Sequence, residues 1–162
     1  MSEQIKEKVL SLLKNYPEMS RRIAALRYEL AHPVRVSPQE MLEAMVFHRG
    51  EEGSTANTSD RDKTYRVAVH FRQKAEQINR EAVRNTLAEL HEMEQERDRL
   101  LRFISLLDER EATVIRMAYL ERRKVAEICG ALDVTEKTVL TAKKHGIAKL
   151  CELYMLTAPI RA

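Results

Sequence analysis

Residues 132–145 read LDVTEKTVLTAKKH, and they decide the reading of the chain. Leu132-Asp133-Val134 has the composition of a turn, because Asp tolerates the left-handed backbone that a sharp reversal needs. Thr135 is an N-cap, its hydroxyl able to accept from an orphaned amide of the next turn. The helix it starts is expected to run from Glu136 to about Tyr154. A shorter helix is expected just upstream, about Lys124 to Ala131. Two helices that cross steeply need a small residue where they touch, and Cys129 occupies that place. They also need apolar side chains to close the joint. Ile128, Leu132 and Val134 precede the crossing, and Val139 and Ala142 follow it. The spacing predicts a helix-turn-helix.

Working outward, Asp108 and Glu111 form an Asp-x-x-Glu capping box. It predicts a further helix from Glu109 to about Leu120, with Ala112, Ile115 and Tyr119 on a common face. Gly146 falls inside the last helix. It costs about 1 kcal/mol against alanine there, so it marks close packing or a weak point. The solvent side of the last helix holds Thr135, Glu136, Lys137, Leu140, Thr141, Lys144 and His145. At the start of a recognition helix such side chains reach base edges in the major groove of duplex DNA. Lys137 suits guanine O6 or N7, and the threonine methyls suit the thymine methyl. Glu136 would repel phosphate and suits a cytosine amino group. Lys143, Lys144, His145 and Lys149 are placed for phosphates, which add affinity without sequence information. Arg122, Arg123 and Lys124 open the shorter helix, where its N-terminus favours the same anions.

Two blocks, REATVIRMAY at 110–119 and LDVTEKTV at 132–139, are followed by a helix ending IAKL at 147–150. Together they resemble region 4 of the sigma-70 family, the promoter −35-reading, polymerase-contacting module of bacterial sigma factors. The resemblance spans Asp108 to Leu150. It implies base contacts from Glu136, Lys137, Leu140 and Thr141. The residue types there depart from the Arg, Glu, Arg and Gln typical of sigma factors. More loosely, a helical N-terminal half, a polar loop and a long helix feeding such a module is similar to small phage and prophage late-gene transcription activators.

Ahead of the module, residues 61–107 contain no Pro or Gly. Phe71, Ala75, Ile78, Ala82, Leu90, Met93, Leu100, Ile104 and Leu107 recur at helical spacing. One helix of about 45 residues, roughly 68 Å long, is predicted. It cannot bury its stripe on itself and must pack on the N-terminal helices, on a second copy, or on both. A homodimer is expected. Residues 49–60 (RGEEGSTANTSD) read as a mobile loop. Ser37-Pro38 reads as the N-cap and first residue of a short helix carrying Met41, Leu42, Met45 and Val46. Earlier still, Ile5, Val9, Leu12, Tyr16, Met19, Ile23, Leu26 and Leu30 form a heptad seam. Pro17 is expected to kink or split that element into two stacked helices. The domains expected are therefore an N-terminal helical segment (1–48), the loop (49–60), the long helix (61–107) and the helix-turn-helix (108–155). The fold class is all-α.

Composition narrows the function. Only 4 Gly and 4 Pro occur in 162 residues, too few for a turn-rich β fold, and 33% of residues are charged. The net charge of +3 is uneven. Residues 61–86 hold seven basic and three acidic side chains, whereas 87–107 hold three and five. The acidic set Glu89, Glu92, Glu94, Glu96 and Asp98 reads as a solvated or partner-facing surface. No apolar run approaches the ~20 residues of a membrane span, and the N-terminus is not a secretory signal. Cys129 and Cys151 read as buried reduced thiols, so a cytoplasmic protein is expected. No phosphate loop, nucleophile elbow or His-Glu-x-x-His is present, and the five histidines show no i,i+4 pairing. Neither an enzyme, a metal site nor a cofactor is expected. A complete sigma factor is also excluded, because the chain lacks an aromatic-rich basic helix to capture unstacked bases. The expected partners are double-stranded DNA and RNA polymerase. Two other functions fit: a small terminase-like DNA-packaging subunit, and a polymerase-binding module that does not read DNA.

Overall fold

The computed structural model describes residues 2–48 and 60–157, and every regular element among them is helical. The order is α1 (Ser2–Ala31), α2 (Pro38–His48), α3 (Asp60–Ser105), α4 (Glu109–Ile115, continued as a π-wound turn over Arg116–Leu120), α5 (Val125–Leu132) and α6 (Glu136–Leu156). The expected loop at 49–60 lies outside the described residues except for Asp60. None of the described helices is long and apolar enough to cross a membrane. The chain forms two compact units, one of residues 1–24 with 92–162 and one of residues 25–91.

The first unit contains the helix-turn-helix. Its larger core joins Val9 and Leu13 of α1, Leu100 and Ile104 of α3, Ala112 and Ile115 of α4, and Leu150, Cys151 and Tyr154 of α6. Each aliphatic side chain taken fully out of water contributes about 1.5–3 kcal/mol. The start of the chain is therefore part of the scaffold that holds α6. The seam reading of α1 needs one adjustment: Leu13 is completely buried and Leu12 only partly. The expected break at Pro17 does not occur, and α1 runs unbroken through it. Buried Val9 and Leu13 before the proline, and Ile23 and Leu26 after it, keep both sides in register. Their burial outweighs the loss of one backbone donor.

The end of α6 is clasped to α3. The Phe103 and Tyr154 rings meet edge to face at 4.9 Å. The Arg99 guanidinium lies 4.8 Å from the Tyr154 ring centroid and donates to the Thr157 hydroxyl at 2.7 Å. Burial, with the nearby Glu96 charge second and Arg99 opposing, pushes the Tyr154 hydroxyl up to about 12.

In the second unit, α2 starts with the expected N-cap and a full capping box. Glu40 Oε2 accepts from the Ser37 amide at 2.9 Å, and Ser37 Oγ accepts from the Glu40 amide at 3.1 Å. Those bonds lower the Glu40 pKa. The extended segment before α2 has its own anchor. The Asn79 side-chain amide of α3 accepts from the Val36 N–H at 2.9 Å and donates to the Val36 carbonyl at 3.1 Å. Phe71, Ala75 and Leu90 are buried as the stripe predicts. Ile78, Ala82 and Leu42, expected on apolar faces, are exposed.

Candidate nucleic-acid interface

Local sequence builds the α5–α6 joint. Asp133 adopts φ 52° and ψ 49°, the left-handed cap expected of it. Its reversal lets the Val134 amide bond back to the Cys129 carbonyl at 3.2 Å. Thr135 caps α6, its hydroxyl accepting from the Thr138 amide at 3.4 Å. Glu127 reaches back to the Lys124 amide at 2.9 Å and secures the start of α5. Val114, Ile128, Val139 and Ala142 form a second small core, with Cys129, Leu132 and Val134 packed on it. All the joint residues read from the sequence meet here, although Cys129 is only partly buried, whereas Cys151, in the larger core, is buried. Burial raises the Cys151 thiol pKa.

Close packing explains Gly146. A side chain there would place its first carbon 3.0 Å from Ile115 Cγ1, so α4 and α6 approach closely enough that any larger residue would crowd Ile115. The buried face of α6 is Val139, Ala142, Gly146, Leu150, Cys151 and Tyr154. The 3.6-residue period then turns Lys137, Leu140, Thr141 and Lys144 outward, and all four are exposed. Thr135, Glu136 and His145 are exposed as well. Leu140 stands 49% exposed in the middle of this cationic face.

The predicted phosphate set divides. Arg122, Arg123 and Lys124 are exposed at the entrance to α5. Arg123 pairs with Glu121 at 2.6 Å on the surface. Arg122 adopts a left-handed φ of 54°, unusual outside glycine, and its guanidinium donates to the Lys14 carbonyl of α1 at 3.5 Å. Lys143 rests over the Tyr119 ring, 4.7 Å from its centroid, and Lys144 and His145 stand clear. Lys149 has a different position from the one its spacing suggested. Its ammonium is held by Asp108 and by Glu111, the latter at 2.9 Å. The Asp108 hydrogen bond first, and the Glu111 bond second, raise its pKa above the ordinary lysine value. The same lysine replaces the expected capping box: the Asp108 side chain makes no cap bond, and α4 begins on its backbone carbonyl alone.

Arg110, which sequence reasoning did not single out, lines a groove with Lys137, Thr141 and His145 between the start of α4 and the outward edge of α6. Its place one residue after the helix start gave no signal of that neighbourhood.

Residues 97–150, a third of the chain, match the family described as sigma-70, region 4. The match begins eleven residues before Asp108 and so takes in the end of α3. No curated protein and no solved structure matches the chain. Domains of the matched family bind DNA and RNA polymerase in transcription and are regulatory rather than catalytic. Through α4, α5 and α6, with the last turns of α3 leading in, the chain thus carries a helix-turn-helix of the sigma-70 region 4 kind.

Proposed function

We propose that this protein is a sequence-specific transcription regulator of phage or prophage type, acting in the cytoplasm as a homodimer on double-stranded DNA and contacting RNA polymerase. In this reading 108–155 is the DNA-reading domain and 61–107 the helix for packing or dimerisation. The observation that supports it best is the outward face of α6. Lys137, Leu140, Thr141 and Lys144 are exposed together on a helix whose opposite side is anchored in two cores. Thr135, Glu136, Lys137, Leu140 and Thr141 would meet base edges. Arg122, Arg123, Lys124, Lys143, Lys144 and His145 would meet phosphates, with Arg123 exchanging Glu121 for a backbone oxygen. Lys149, held by two carboxylates, serves the scaffold instead.

The test is selection of bound fragments from a random duplex pool, followed by a salt titration on the best fragment. Four to six phosphate contacts give a slope of about −4 to −5 in log K against log salt. A flat titration, or no sequence enriched, overturns the reading. Transcription from the selected fragment then measures the polymerase contact.

A further inference from the structure

Leu140 sits where surface chemistry would favour a polar residue. It stands 49% exposed in the second turn of α6. Its isobutyl group packs on neither core. The α4–α5–α6 joint takes Val139 and Ala142 from this stretch, and the larger core takes Leu150, Cys151 and Tyr154. Its neighbours on the outward face are Lys137 one turn before, Thr141 beside it and Lys144 one turn after, all exposed. Lys143, whose long stem could have sheltered it, rests over the Tyr119 ring instead. On α6 the next exposed large apolar side chain is Met155, about 22 Å further along the axis. Leu140 is therefore a single apolar point in a polar field, not part of the contiguous apolar patch that a protein partner grips.

The major groove offers such a point one kind of partner. Its base edges are patterns of hydrogen-bond donors and acceptors, except at thymine, where C5 carries a methyl group. We propose that Leu140 reads the thymine 5-methyl group and so fixes one T·A pair in the target site. This rests on the DNA-reading face of α6 proposed above and names the chemical group that its central residue takes. Selection has two parts. Over thymine, methyl and isobutyl leave water together. Over guanine, cytosine or adenine, the same isobutyl would cover an amino group, a carbonyl or a ring nitrogen and offer it no hydrogen bond. Lys137 and Lys144 recognise only acceptors, so the leucine supplies a kind of discrimination that they lack. Thr141 also carries a methyl, on a shorter stem, and is the nearest rival for the role.

The test is equilibrium binding of the full chain to the fragment enriched from the random pool. Each thymine of the bound site is replaced in turn by deoxyuridine, which removes the methyl and leaves every hydrogen-bonding group in place. At one position binding should weaken about fourfold, the worth of one buried methyl. Leu140→Ala should bind the thymine fragment more weakly than the unaltered chain does and should no longer distinguish thymine from uracil there. Thr141→Ser, which removes the neighbouring methyl alone, should still distinguish them. Leu140 is exposed and alanine favours helix, so circular dichroism should not change. An enriched site at which no thymine methyl matters overturns the proposal while leaving DNA reading intact. So does a methyl effect that survives Leu140→Ala, or one that Thr141→Ser abolishes. A Leu140→Ala chain that keeps full DNA affinity but loses transcription with polymerase also overturns it and gives the leucine to a protein partner. A pool that enriches no sequence is the separate failure of DNA reading itself, and the proposal falls with it.

Discussion

Replacing Gly146 with alanine sets two effects of similar size against each other. Alanine in a helix interior gains about 1 kcal/mol over glycine. The new methyl would stand 3.0 Å from Ile115 Cγ1, 3.4 Å from its Cδ1 and 3.6 Å from Glu111 Cβ. Overpacking of this kind costs about 1–3 kcal/mol. Ile115 is completely buried and cannot swing into solvent. Glu111 is tied to Lys149 and cannot retreat either. Packing should therefore match or outweigh the helix gain, with a net loss of up to about 2 kcal/mol. Urea unfolding followed by circular dichroism should show a midpoint that is lower or unmoved, at an unchanged slope. A second background isolates the cause. Ile115→Ala removes both crowding carbons, and in that background Gly146→Ala should turn neutral or stabilising by up to about 1 kcal/mol. An alanine that raises the midpoint in the otherwise unaltered chain would refute the close approach of α4 and α6.

Other outcomes follow from the same contacts. Leu13→Ala should cost about 2–5 kcal/mol in urea unfolding and lower DNA affinity, although residue 13 lies far from the reading helix in sequence. Thr135→Ala should cost about 1 kcal/mol by removing the cap of α6. Lys149→Met should destabilise the fold and leave the salt slope of DNA binding unchanged, whereas Lys144→Ala should reduce that slope by about 1 without destabilising the fold. Stability should hold up to about pH 10 and fall from there towards pH 12. The folded Tyr154 hydroxyl keeps its proton to about 12, while an unfolded tyrosine loses it near 10. That difference is worth about 2–3 kcal/mol. Lys149 acts in the same direction, its stabilisation present below the ordinary lysine value and lost as pH rises through its raised one. Tyr154→Phe should flatten the fall in part, read from urea midpoints across that range.

What the sequence disclosed was local. Thr135 capping, the left-handed Asp133 and the unbroken run that became α3 all depend on neighbours within a few residues, and each was readable. What it hid depends on distant partners. Lys149 looks like any exposed lysine of a cationic helix until Asp108, 41 residues away, folds beside it. The heptad spacing favours Leu12, and only packing against distant helices puts Leu13 in the core instead. Pro17 obeyed tertiary packing over its own propensity. Arg122 carries no compositional sign of a left-handed backbone, since glycine or asparagine would be the usual occupant. Within the interface, the outward set on α6 was legible because helical periodicity fixes it once the joint is recognised, and Arg110 was not because another helix brings it there.

The wide turn at Arg116–Leu120 has a genetic consequence. It closes with the Glu121 amide on the Arg116 carbonyl at 3.0 Å, a ring that holds one residue more than an ordinary helix would. Losing one codon anywhere in that turn would leave a normal helical turn behind, with no gap to mend. The basic corner that follows would keep its direction, because the wide turn already absorbs the surplus residue, and the hydrophobic joints on either side would stay in place. A lineage could thus lose one residue at this turn, and at no other place in the module, without displacing the scaffold.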